Sequence, residues 1–79
     1  MKNTKTIFDR VITIMSEKDI DVSEITLETS LKKDMGLDSL DLIDLTMEIE
    51  REYNFVISDQ EVEKWETLGD VIKYIQNKL

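Results

Sequence analysis

Residues 40–53 limit the fold more than any other stretch. Leu42, Leu45, Ile49 and Tyr53 recur at spacings of three, four and four, with Leu40, Ile43 and Met47 in a second row beside them. An α-helix brings residues so spaced onto one side. The two rows together predict a wide apolar face, with Asp41, Asp44 and Glu48 on the polar face next to it. Gly36, just upstream, permits a sharp turn at positive φ. Asp38-Ser39 then suits the opening of a helix. A serine hydroxyl therefore stands at the mouth of an acidic, amphipathic helix. Serine at such a place is ordinarily a cap, but Asp38 can also supply the cap, which frees the Ser39 hydroxyl. The strip Leu40, Ile43 and Met47 reads in two ways: as core packing, or as a docking surface around a modifiable group.

The rest of the chain supplies partners for that helix. From residue 4 to about 16, Ile7, Val11, Ile14 and Met15 form a stripe, with Phe8 and Ile12 beside it. Lys5, Asp9, Arg10 and Thr13 then face water, and Asn3 or Thr4 can cap the start. Residues 17–38 form a long connection. Asp19, Asp21, Ser23, Thr26, Thr29 and Ser30 interrupt any helical period, yet Ile20, Val22, Ile25, Leu27 and Leu31 recur and should pin the loop across the helices. A short turn over residues 30–35 would end at Gly36. Phe55 and Ile57 should turn inward. Ser58 with Glu61 forms a capping box that starts a short third helix ending near Lys64. Thr67 with Asp70 opens a fourth, with Leu68, Val71, Ile72, Ile75 and Leu79 on one face. Two glycines and no proline favour helix throughout. The expectation is an all-α fold: a small four-helix bundle with a long loop between helices 1 and 2 and a short third helix, one domain over residues 1–79.

Charge and composition narrow the function. The net charge is −8, and residues 38–63 hold nine acids against Arg51 alone, while the remainder balances nine acids with nine bases. Such a field repels nucleic acid and anionic lipid and attracts basic protein surfaces, unless it serves only solubility. No long apolar run marks a signal peptide or membrane span, so the default is a cytoplasmic protein with no membrane insertion. Cysteine is absent, which excludes disulfides and thiolate metal sites. Histidine is absent too, and no base lies near Ser39 in sequence. Asp38 and Asp41, on an exposed helix start, should stay ionised rather than work as an acid–base pair. Asp34, Asp38 and Asp41 miss the spacing of a calcium loop. No enzyme and no dedicated metal site is expected.

Gly36-Leu37-Asp38-Ser39-Leu40 resembles the Asp-Ser-Leu attachment motif of the acyl carrier proteins, and the similarity covers nearly the whole chain. Asp41, Asp44, Leu45, Met47 and Glu48 look like that family's recognition helix. Phe55-Val56-Ile57 before Ser58-Asp59 looks like its entry to helix three, and residues 67–75 like its last helix. The resemblance implies that a carrier protein synthase (a phosphopantetheinyl transferase) attaches 4′-phosphopantetheine from coenzyme A to Ser39. The arm's thiol would then carry acyl groups as thioesters in fatty-acid or polyketide-type biosynthesis. It also implies an acyl-chain pocket against Ile43, Leu45, Met47 and Leu68. Partners such as ketosynthases and acyltransferases would dock their basic patches on Asp38, Leu40, Asp41, Asp44, Met47 and Glu48. A monomer is expected. Ser58 stands where many relatives carry proline, Leu42 is bulkier than the family's usual residue, and Trp65 is unusual before the last helix. The alternatives are a D-alanyl or aminoacyl carrier, and a non-carrier acidic helical adaptor for a basic partner.

Overall fold

A computed structural model describes residues 4–79; the alternative first cap, Asn3, lies outside them. Four helices follow in order: α1 Thr4–Glu17, α2 Ser39–Tyr53, α3 Asp59–Lys64 and α4 Leu68–Lys78. No strand occurs among the described residues, and the fold is the all-α bundle that the periodicity predicts.

The α1 stripe is buried as its spacing requires. Ile7, Val11, Ile14 and Met15 enter the core, Phe8 and Ile12 lie half-buried beside them, and the helix packs on both α2 and α4. Beyond Glu17 the chain turns sharply: Asp19 takes φ 63° and the Ile20 N–H reaches back to the Met15 carbonyl at 3.1 Å. The turn lays Ile20 against the core.

The face of α2 divides. Leu42, Leu45 and Ile49 are buried, and so is Thr46, whose hydroxyl donates to the Leu42 carbonyl at 2.7 Å. The second row stays in solvent, with Leu40 76%, Ile43 49% and Met47 53% exposed. The expected wide apolar face is thus a buried row and an exposed one. A helix packed on α1 and α3 alone has neighbours for only part of its circumference. Asn54 closes the helix in the left-handed region (φ 59°, ψ 49°), its N–H donating to the Glu50 carbonyl. The Glu50 carboxylate then accepts the Ile57 N–H at 2.7 Å, which turns Ile57 into the core. Phe55 is half-buried between Tyr53 and Tyr74, each ring pair 6.2 Å apart, and Val56 points out.

Ser58 caps α3 by accepting the Glu61 N–H, and Val62 is its buried residue. Trp65, just after α3, is also buried, its ring set edgewise to Tyr74 at 5.8 Å. On α4, Leu68, Val71, Ile72 and Ile75 face inward. Leu79 does not join them: it lies past the last helical residue and is exposed.

The long α1–α2 connection is fixed by α4. The Leu68 N–H donates to the Thr29 carbonyl at 3.0 Å, and the Gly69 N–H to the Leu27 carbonyl at 2.7 Å. In return the Leu31 N–H donates to the Glu66 carbonyl at 2.9 Å, and Ser30 pairs with Thr67 in a single antiparallel bridge. The first N–H groups of a helix have no partner within it, and here loop carbonyls take two of them. Leu31 is buried and Ile20, Val22 and Ile25 pack on the core, as expected of a pinned loop. Leu27 departs from that expectation: its carbonyl does the pinning while its side chain stays 41% exposed.

Candidate functional site

The site begins at Gly36, whose φ of +70° carries the chain through the turn. A Cβ there would touch nothing within 4 Å, so the glycine is required by conformation rather than by space. Leu37 follows into the core, its N–H donating to the Leu31 carbonyl at 3.0 Å. That anchor sets Asp38 at the start of α2.

Asp38 is the N-cap. Its Oδ1 accepts the Asp41 N–H at 2.9 Å, and its own N–H donates to Asp41 Oδ2 at 3.1 Å. This reciprocal box settles which of the two adjacent residues caps the helix. Ser39 is the first helical residue and is exposed, and among the described residues no hydrogen bond engages its hydroxyl.

Beside that hydroxyl opens a cavity of about 210 Å³ between α2 and α3. Leu42, Ile43 and Val62 form its apolar wall, and Ser39, Lys32, Asp59 and Glu63 its polar rim. Of the four residues that the resemblance gives to an acyl-chain pocket, Ile43 lines this cavity. Leu45 and Leu68 lie fully buried in the core, and Met47 stands exposed on α2. Val62, Asp59, Glu63 and Lys32 were not singled out from sequence. The available signal was Val62, the one apolar residue in α3.

The residues expected to meet partners share the open side of α2. Asp38, Leu40, Asp41, Asp44 and Met47 are exposed and Glu48 is half-buried. Two of these acids are paired within the chain: Asp44 with Lys18 at 2.7 Å and Glu48 with Arg51 at 3.2 Å. A third pair, Arg10 with Glu52, joins α1 to α2 farther along. Asp70, in the α4 cap, is held below the usual carboxylate range because it accepts the N–H groups of Glu66 and Thr67.

The donor chemistry fits a phosphodiester-linked arm. A free primary hydroxyl is the nucleophile such a linkage needs, and an apolar recess lies next to it for whatever the arm carries. Among the described residues no helix is long and apolar enough to cross a membrane.

A family model described as the phosphopantetheine attachment site matches residues 9–75. An acyl carrier protein of Thermotoga maritima is 44% identical over 80 aligned positions, covering 100% of this chain and 99% of the relative. An acyl carrier protein of Exiguobacterium is 48% identical over 59 positions, 75% of each chain.

Proposed function

Because the chain belongs to the phosphopantetheine-binding acyl carrier family, we propose that Ser39 is the residue that takes its 4′-phosphopantetheine arm. As a carrier, the protein holds acyl groups on that arm, whose thiol forms thioesters with them. One observation carries the assignment to Ser39. The Asp38–Asp41 box does the capping, so the exposed hydroxyl next door is free at the rim of the cavity.

In attachment, the Ser39 oxygen bonds to the phosphorus of coenzyme A's pantetheine phosphate and the adenosine bisphosphate portion leaves. The hydroxyl proton goes to a base on the synthase, since this chain has no histidine and, among the described residues, no side chain is bonded to that hydroxyl. The first carbons of an acyl chain then lie against Leu42, Ile43 and Val62, while Leu45 and Leu68 become reachable only when the core opens. Partner enzymes with basic patches dock on Asp38, Asp41, Asp44 and Glu48, with Leu40 and Met47 as the apolar centre. We place this single carrier unit in fatty-acid or related biosynthesis, in line with the names of its relatives.

Incubation with coenzyme A, magnesium and a carrier protein synthase should add one phosphopantetheine by intact mass, with fragmentation placing it on Ser39. Ser39→Ala should fold with an unchanged melting curve, because the cap belongs to Asp38, and should stay unmodified. A mass gain on the alanine variant would overturn the assignment.

A further inference from the structure

The acids on the open side of α2 are not equivalent, and the difference comes from Lys18. This residue follows α1 directly, in the turn where the N–H groups of Lys18 and Ile20 both donate to the Met15 carbonyl, at 3.0 and 3.1 Å. Asp19 at φ 63° completes the turn, so the backbone that carries Lys18 is fixed. The Lys18 ammonium lies 2.7 Å from Asp44 Oδ2. Its side chain is only 21% exposed, whereas that of Asp44 is 61% exposed. The Glu48–Arg51 pair is different in kind. It joins neighbours on one helix at 3.2 Å, and Arg51 is 75% exposed and free to swing away. Asp38 and Asp41 hold each other's backbone N–H groups and have no cation partner among the described residues.

We propose that Lys18 is a specificity-determining residue of the docking face, a built-in counter-ion that withholds Asp44 from the cations of a basic partner. The proposal rests on the docking reading given above. A lysine or arginine approaching Asp44 meets an ion pair instead of a free carboxylate. Attraction to the carboxylate is offset by repulsion from the ammonium beside it, and a direct contact must compete with a bond already made. The partner's cations are thereby directed to Asp38 and Asp41, the two acids nearest Ser39. Lys18 so biases the face toward partners whose basic patch sits over the attachment point rather than along the length of α2.

The test measures loading of the whole apo chain by a carrier protein synthase with coenzyme A, as kcat and KM for the carrier. Lys18→Gln should raise kcat/KM by about 1.5- to 5-fold in dilute buffer, the range of a single surface charge interaction. The gain should lie in KM, with kcat unchanged, and Lys18→Arg should restore the wild-type value. It should fade once the screening length falls to about 10 Å. Lys5→Gln changes net charge equally but lies at the far end of α1, about 20 Å away by helical rise. It should leave KM unchanged. A purely structural role for Lys18 gives the opposite sign, since loosening α2 lowers kcat/KM and the melting temperature. Lys18→Met, which keeps the apolar stem, separates loss of charge from loss of packing and should behave as the glutamine variant does. A fall or no change in kcat/KM for both variants overturns the proposal, as does an equal gain from Lys5→Gln. Asp41→Lys is measured alongside. If it does not slow loading, the docking face itself is wrong and this proposal falls with it; if it does, failure of the Lys18 variants counts against Lys18 alone.

Discussion

Gly69 is the residue at which loop and helix are forced together, and Gly69→Ala measures that junction. Its N–H donates to the Leu27 carbonyl at 2.7 Å. A Cβ built on it would lie 2.9 Å from the same oxygen, which real Cβ atoms essentially never show, and the obstructing atom is backbone. The substitution therefore sets two effects of opposite sign against each other. Alanine favours helix over glycine by up to about 1 kcal/mol in a helix interior. Against that, relieving the contact pushes the Leu27 carbonyl away and weakens its bond. Because Leu68 and Thr29 are joined in the same register, their 3.0 Å bond is loosened too. At about 0.5–1.5 kcal/mol for each hydrogen bond, the loss is about 1–3 kcal/mol. The net expectation is a destabilisation of about 1 kcal/mol, a fall of about 4–8 °C in melting temperature for a domain of this size. Thermal melting by circular dichroism reads the global effect. Hydrogen exchange should show the amides of Leu68 and Gly69 opening faster, while those of α2 at Leu45 and Ile49 change only by the global amount. Loading at Ser39 should persist, because α2 starts from its own capping box. A variant that melts at or above the wild type would refute the reasoning: the loop would be soft enough to yield, and helix propensity would decide the outcome.

Two further outcomes follow from charge. Asp70 has a carboxyl group lowered by the N–H groups of Glu66 and Thr67, so its contribution is present above the ordinary carboxylate value of 3.8 and is lost as pH falls through its lower folded value. The wild type should therefore lose more melting temperature below pH 4 than Asp70→Asn does; equal acid sensitivity would remove Asp70 as a cause. Moderate salt should raise the melting temperature, because Asp59, Glu61 and Glu63 crowd a six-residue helix in a chain of net charge −8, while the Arg10–Glu52 and Glu48–Arg51 pairs are open to solvent and contribute little. A melting temperature that falls with salt would mean that the ion pairs outweigh the repulsion.

Helix positions were legible because their causes are local. Ile7, Val11 and Ile14 on α1 declare their face within a few turns, and the Ser58 and Thr67 caps mark helix starts within four residues. What stayed hidden depends on distant neighbours. Nothing in the period of α2 says that Leu42, Leu45 and Ile49 are covered while Leu40, Ile43 and Met47 are not, since that depends on where α1 and α3 lie. The resemblance gives Leu45 and Leu68 to an acyl-chain pocket, and their burial in the closed core depends on how the helices pack, which side-chain type does not reveal. The clamp between the loop and α4 is made by backbone groups, which leave no mark on side-chain pattern. One signal did exist: Gly69 sits in the first turn of a helix, where glycine is unfavourable and no turn requires it. Trp65 gave another, as a large aromatic beside a four-residue cap, and it is buried against Tyr74.

The division of α2 into a covered and an uncovered row bears on how a carrier of this size works. Burying Leu40, Ile43 and Met47 would stabilise the fold by roughly 1.5–3 kcal/mol for each side chain fully covered, a large share of what a domain of this size has to spare. Leaving them out is therefore costly unless exposure serves the docking proposed here. A carrier must release each enzyme it visits, so its contact should be small, with an apolar centre and a rim of charge that speeds encounter without a large buried area. The exposed row supplies such a centre, and Asp38 and Asp41, which have no cation partner among the described residues, supply the rim. The same demand explains why rigidity is concentrated on the other side. The Leu37 anchor and the loop clamp on α4 fix backbone, and the Asp38–Asp41 box fixes the start of α2 through two carboxylates, while Leu40 and Met47 are left exposed. Ser39 is thus held in place from behind while the side chains around it remain free to meet successive partners.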